Sequence, residues 1–425
     1  MVSALVWIYA GLALAVFAWE WLLDVWNERH SARKQAEPAA SGAPPSDPRV
    51  LEYLRARNRL SHAESGFFLA LTLACVVGGV PEWFGALAGT LAVDRPLLGG
   101  VLTLALFFFA WDLLRVPVEW YETFRLEAAF GFNRTTPGTF VADLLKGWLV
   151  KALLCLPLAF AALWLLLASG REWWLPASAL FIGFQLLVLF LYPRFIAPLF
   201  NKFEPLEEGA LKTALEELAV RCRFPVKAVA VMDGSRRSGH SNAYFTGFGR
   251  NRRLVLYDTL VRQLTVEELR AVLAHEIGHY RCGHIQKLLL LMSVLVSGVM
   301  FGMSRALEWE AFRAVFHVPA GQPAVGLAVF ALVAGPFLFW LGPCLHALQR
   351  RFEFQADAFA AAAAGGAAPM SSALLRLAEK NLENLTPLPL YSAWHHSHPA
   401  ILERIATLEG RECGGKPGQP ETSGL

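Results

Sequence analysis

Seven long stretches without a charged side chain constrain this chain more than any other feature. They are residues 2–19, 65–81, 96–111, 152–170, 173–193, 288–304 and 314–349, counting histidine as neutral. A hydrocarbon core about 30 Å thick asks for roughly 20 apolar residues in a helix, and these blocks approach or exceed that length. Soluble domains carry about a quarter charged residues, whereas 17% of these 425 are charged and 55% are hydrophobic. The expected fold class is a mainly α, polytopic membrane protein with seven spans. Residues 2–19 have no basic segment ahead of them, and helical character continues from Glu20 through Trp26. The first block therefore reads as a retained span rather than a cleaved leader.

The net charge of +3 says little, but its distribution orients the chain. Arg29, Arg33, Lys34, Arg49, Arg55, Arg57 and Arg59 lie between spans one and two, and Arg115, Arg125, Arg134, Lys146 and Lys151 between three and four. The alternate loops hold only Arg95, then Arg171, then Arg305 with Arg313. Basic residues are retained on the cytoplasmic face, so the N-terminus is expected outside and the odd-numbered loops inside. The long segments after spans five and seven fall on that same cytoplasmic side, in an inner bacterial or ER-type membrane. The six cysteines show no pairing interval, and the cytoplasmic ones are expected to be reduced.

Outside the spans, residues 30–48 read as an Ala/Pro/Ser/Gly linker and residues 47–63 as a basic amphipathic helix on the membrane face. Residues 206–220 read as helix, and 226–232 and 253–257 as short strands. Thr265 with Glu268 makes a capping box that opens another helix. The tail from Gly414 reads as disordered.

That capped helix carries His275-Glu276-Ile277-Gly278-His279. Four residues apart, His275 and His279 share one helical face and can bind one Zn²⁺ together, with Glu276 placed to act as general base on an attacking water. By residue frequency this pattern arises by chance in roughly one chain in a hundred of this length. A catalytic zinc needs a third protein ligand. His284 does not fit the extended metzincin pattern, because Cys282 and Ile285 occupy the positions that want Gly and His. Glu353 and Asp357, four apart beyond span seven, are the better source. One can bind the metal and the other can hold a ligand imidazole. Two spans lie between the motifs, which returns the chain to the same face.

With these pieces in order, the chain resembles the type I CAAX prenyl protease family of integral-membrane zinc metallopeptidases. The resemblance rests on residues 192–203, on 238–247 (Ser-Gly-His-Ser-Asn-Ala-Tyr-Phe-Thr-Gly), on the zinc motif and on Glu353-Phe354-Gln355-Ala356-Asp357. His398-Pro399 with Glu403-Arg404, and Phe130-Gly131-Phe132-Asn133, extend it. It implies a seven-helix barrel around an internal chamber, with a catalytic region that carries a short β segment. It further implies one Zn²⁺ per chain on His275, His279 and Glu353, with Glu276 as base and Asp357 as the second acidic residue. Asn242, Ala243 and Tyr244 would pair with substrate backbone, and His398 and Arg404 would stand near the scissile carbonyl. The implied partners are a peptide or lipidated protein substrate and membrane lipid, with no nucleic acid; the oligomeric state is left open.

The expected organisation is spans one to five over 1–200, a cytoplasmic catalytic region over 201–287 and spans six and seven over 288–349. C-terminal catalytic helices follow over 350–413, then a disordered tail over 414–425. The expected function is membrane-embedded zinc endoproteolysis of the CaaX type, with quality-control cleavage of membrane proteins as the alternative substrate class. A zinc transporter would carry ionisable residues at mid-bilayer, which these spans lack, and an inactive scaffold has no use for Glu276.

The charge asymmetry makes a direct prediction. Single-cysteine labelling at Pro44, Thr136, Lys212 and Thr386 should report the cytoplasmic face, and at Val93, Arg171 and Gln322 the opposite face. Finding Lys212 and Thr386 on opposite faces would separate Glu353 from His275 by a bilayer and end the single-site reading.

Overall fold

The computed structural model describes residues 2–37, 47–224, 226–246 and 252–410. Among the described residues, six helices are long and apolar enough to cross a membrane: 4–36, 48–77, 96–127, 137–168, 170–200 and 284–308. Pro323–Val333 and residues 335–364, bent by 47° from each other, make seven crossings if the pair is counted as one span. The bend coincides with Gly335-Pro336, and Gly342-Pro343 follows it. Each proline removes a helical N–H and crowds the preceding turn. Helix 137–168 shows why these surfaces need lipid. Leu145, Leu149, Leu153, Phe160 and Trp164 recur on one face, and Leu153 is 66% exposed. Such a stripe is stable against acyl chains and costly against water.

Several helices outrun the bilayer, and here the structure corrects the expectations from sequence. Val2–Ala36 has 35 residues, about 52 Å of helix, so the first seven residues of the expected linker, 30–36, are helix; residues 38–46 lie outside the described residues. The segment expected as a separate surface helix over 47–63 is continuous with span two in Pro48–Val77, started by Asp47, whose side chain accepts from the Arg49 N–H. Its charged face is the part of one long helix that leaves the lipid. Span two stops at Val77, four residues short of expectation, because Gly78 and Gly79 turn the chain into a further helix, Val80–Leu91. The helix expected over 206–220 begins only at Ala210, since 203–205 is drawn into a sheet.

That sheet has four strands: β1 (Phe203–Pro205), β2 (Val226–Met232), β3 (Ala243–Thr246) and β4 (Arg252–Tyr257). Their order is β1-β2-β4-β3, with β2 and β4 parallel and the other pairs antiparallel. β3 is thus an edge strand. Leu254, Val255 and Leu256 are buried in succession, because β4 is covered on both faces. Leu215 and Leu218 of helix Ala210–Arg221, Leu254 and Leu256, and Leu269, Leu273 and Ile277 of helix Val266–Arg281 share one core. The last three recur every four residues, so the helix buries one stripe against the sheet. Its imidazoles and Gly278 face elsewhere.

Helix Val266–Arg281 has the expected capping box. Thr265 Oγ1 accepts from the Glu268 N–H and Glu268 Oε2 accepts from the Thr265 N–H at 2.8 Å. Glu268 also accepts from Ser372 Oγ and pairs with Arg376 at 3.0 Å. The cap therefore fixes both the helix start and its contact with helix Ala368–Lys380. The tail from Gly414, expected to be disordered, lies outside the described residues.

Candidate metal centre

Helix Val266–Arg281 crosses helix Gly342–Ala364 at Gly278. A Cβ there would lie 2.9 Å from Ala356 Cα and 3.1 Å from its carbonyl oxygen, closer than a side chain tolerates. Only glycine lets the backbones approach this far. The crossing carries His275 and His279 on one helix to Glu353 and Asp357 on the other.

Three ligating groups converge there. His275 Nε2 and His279 Nε2 are 3.1 Å apart, and the Glu353 carboxylate oxygens stand 3.4 Å from the first and 3.2 Å from the second. The shell of hydrogen bonds around the imidazoles fixes where their protons are. Asp357 Oδ1 lies 2.8 Å from His275 Nδ1 and so accepts its N–H, while Arg404 grips both Asp357 oxygens at 2.7 and 2.8 Å. Gln355 Oε1 accepts from His284 Nε2 at 2.9 Å, which leaves His284 Nδ1 to accept from His279 Nδ1 at 3.0 Å. Both ligand nitrogens therefore aim lone pairs at each other and at a carboxylate. Buried Glu353 Oε2 has no hydrogen-bond partner. Acceptors this close, with no proton between them, repel unless a cation is shared. Zinc bonds of about 2.0–2.1 Å in tetrahedral array set ligand atoms about 3.3 Å apart, close to the separations found. The residues fit the metal.

Glu276 is partly buried beside the ligands and makes no side-chain hydrogen bond among the described residues. Burial raises its carboxyl above the ordinary carboxylate value, which suits a group that must both take and return a proton. His398 reaches Glu353 at 3.4 Å from the open side, with Ser397 Oγ 2.9 Å from its Nδ1. Arg404 stands beside the ligands. It is 6% exposed and its guanidinium is committed to Asp357, 3.4 Å from His275 Nδ1, on the closed side of the site. Its guanidinium also lies 3.6 Å from Glu353 Oε2. Asn242, Ala243 and Tyr244 run into β3, whose outer edge has no partner strand among the described residues. Ala243 packs in the same core as Leu273 and Ala274.

Beside His398 opens a cavity of about 890 Å³, walled by Arg57, Glu122, Glu127, His240 and Glu383. Glu127 accepts from Tyr53 at 2.7 Å and stands 3.4 Å from His240 Nε2, raising the His240 pKa above its ordinary value. These polar groups suit peptide backbone better than hydrocarbon.

Four features of the site lie beyond what sequence reasoning supplies. His284, which the sequence reading sets aside as a ligand, lies 3.0 Å from His279 Nδ1 and stacks on Phe352 with 4.1 Å between ring centres. Gly278, which in sequence is merely an uncharged residue inside the motif, sets the helix separation. Arg350 donates to the carbonyls of Ser392, Ala393 and His396 at 2.8–3.3 Å, and His346 Nδ1 meets Trp394 O at 2.7 Å. The helix that brings Glu353 thus also clamps the loop before His398. His240 belongs to a segment that carries the family resemblance, yet only the cavity wall gives it a place.

The chain matches two family models, CAAX prenyl protease N-terminal, five membrane helices, over residues 49–202, and Peptidase family M48 over residues 205–412. It is 36% identical to the CAAX prenyl protease 1 homolog of Arabidopsis thaliana, covering 79% of this chain and 80% of that one. It is 35% identical to the Homo sapiens CAAX prenyl protease 1 homolog, over 72% of each. The crystal structure of S. mikatae Ste24p aligns with a TM-score of 0.87 at 29% identity, covering 95% of this chain and 98% of that one.

The helix crossing is open to test. Gly278→Val should push the helices apart, at a cost of about 1–3 kcal/mol, and drop bound metal well below one per chain by plasma mass spectrometry, with far-UV circular dichroism still helical. Stoichiometric metal in the variant would remove the close approach from the account.

Proposed function

The chain belongs to peptidase family M48 and carries the CAAX prenyl protease N-terminal membrane region, and from that membership we propose how its residues perform the reaction. The protein is a multi-pass membrane metalloprotease of the CaaX-processing kind. The finer reading is that its metal is a single Zn²⁺ on His275, His279 and Glu353. The observation carrying it is the convergence of two imidazole lone pairs and an unpartnered carboxylate oxygen.

When bound, zinc supplies Lewis-acid polarisation of the scissile carbonyl and acidifies water. Glu276 takes the proton of the attacking water and returns it to the leaving amine. Asp357, held by Arg404, fixes the tautomer and orientation of His275, and His284 with Gln355 does so for His279. His398, on the open side, donates to the carbonyl oxygen as charge develops there. β3 receives an extended substrate along Asn242, Ala243 and Tyr244 by adding a strand to the sheet edge. The substrate enters this reading as a membrane-anchored, prenylated C-terminus, its peptide portion in the polar cavity. The catalytic side is cytoplasmic, as the Lys/Arg asymmetry supports.

The test is hydrolysis of a quenched farnesylated CaaX peptide by detergent-purified protein. Chelation should abolish turnover and one equivalent of zinc restore it. Glu276→Gln should keep one zinc yet lose at least about 10³-fold in kcat, since the base acts only in the chemical step. Glu353→Ala should lose metal and activity together. Substantial turnover by Glu276→Gln would remove its role, and tight stoichiometric zinc in Glu353→Ala but not Asp357→Ala would reverse the assignment of those carboxylates. Equal cleavage of the unprenylated peptide would widen the substrate class to hydrophobic chain ends.

A further inference from the structure

A second concave site lies at the end of the fifth crossing, away from the metal. Its volume is about 570 Å³, and Arg194, Lys202 and Arg253 line it together with Pro198 and Tyr244. The three cations come from three separate elements. Arg194 lies in the π-helical turn Tyr192–Ile196, Lys202 in the link to β1, and Arg253 on β4. All three are exposed, and none forms an ion pair among the described residues. Arg194 instead lies over the Phe190 ring at 4.6 Å. One carboxylate, Glu204, also lines the site, which leaves two positive charges in excess.

The surrounding surface sets the depth of this site. Phe190, Tyr192, Phe195 and Leu199 are exposed on the same terminal turns, Phe195 by 60%. Exposed aromatic and aliphatic side chains followed at once by basic ones mark the boundary between acyl chains and headgroups. A cluster of unpaired cations at that depth meets phosphate esters, and arginine's planar fork matches a phosphate oxygen pair. We propose that this pocket is a binding site for the phosphate of an anionic phospholipid from the surrounding leaflet, gripped by Arg194, Lys202 and Arg253.

The site adjoins the edge strand through Tyr244, so a bound headgroup would fix the sheet's distance from the bilayer on which an anchored substrate arrives. The proposal does not depend on the identity of the metal or the substrate.

The experiment counts retained lipid by native mass spectrometry, after reconstitution into phosphatidylcholine nanodiscs containing graded phosphatidylglycerol. Wild type should retain one phosphatidylglycerol selectively. The triple variant Arg194→Gln, Lys202→Gln, Arg253→Gln should lose at least about tenfold in apparent affinity, since each basic residue near an anionic surface contributes measurably. A control that removes as much charge elsewhere, Arg29→Gln, Arg33→Gln, Arg59→Gln, should stay within about twofold. Equal loss in both would show diffuse surface charge and overturn the site, as would unchanged retention in the triple variant. Millimolar inorganic phosphate should not displace the lipid; displacement would make free phosphate the ligand and overturn the lipid as its source. Should the triple variant fail to fold, Lys202→Gln alone, whose ammonium makes no hydrogen bond among the described residues, should still weaken retention, and no change there overturns the proposal.

Discussion

The close crossing of two helices at Gly278 and Ala356 is the constraint from which the rest of the site follows. One helix presents imidazoles four residues apart and the other presents carboxylates four residues apart. Separately, each pair is an ordinary solvated helix face. Brought to backbone contact, they form a compact group of acceptors that a shared cation would stabilise. The hydrogen bonds behind them, from Asp357 and Arg404 on one side and from His284 and Gln355 on the other, decide which nitrogens carry lone pairs. A metal bound here would meet proton positions already set by the protein.

The membrane helices make that crossing possible by returning the chain to one face. Helix Gly342–Ala364 continues from Pro323–Val333 through the 47° bend, so the carboxylates sit on a long helical segment and not on a loose loop. The first helix takes part as well. Asn27 Oδ1 accepts from the Leu388 N–H at 2.8 Å, and Ser31 Oγ meets Asn384 Nδ2 at 2.7 Å. Both residues are buried. The loop that presents His398 is therefore held from two directions, by the first helix and by Arg350 with His346. A peptidase working in a polar cavity beside lipid gains from such rigidity, because a displacement of about 1 Å in a catalytic group can cost a hundredfold in rate.

Much of this is legible in the sequence because its signals are local. Uncharged blocks report the spans, period-four pairs report the ligand helices, and Thr265 with Glu268 reports a helix start. The features that sequence does not disclose depend on contacts between distant segments. His284 follows the zinc motif by five residues, but its purpose depends on Gln355, 71 residues away. Arg350 looks like a charged helix end until the carbonyls of 392–396 are found around it. Charge patterning also misleads at residues 47–63, where a helix that merely leaves the bilayer carries the same amphipathic signature as one lying upon it. The Gly335-Pro336 break is visible as composition, yet the sequence offers no means of telling a bend from an end.

The central claim is that the chain folds around one zinc held by residues from two helices. Anomalous diffraction measured on either side of the zinc edge, from crystals of the purified protein, tests it most directly. A single peak is expected about 2.0–2.2 Å from His275 Nε2, His279 Nε2 and a Glu353 oxygen, with Asp357 contacting His275 and not the metal. A zinc bound through His284 or Asp357 instead, or no anomalous peak between the two helices in catalytically active protein, would contradict it.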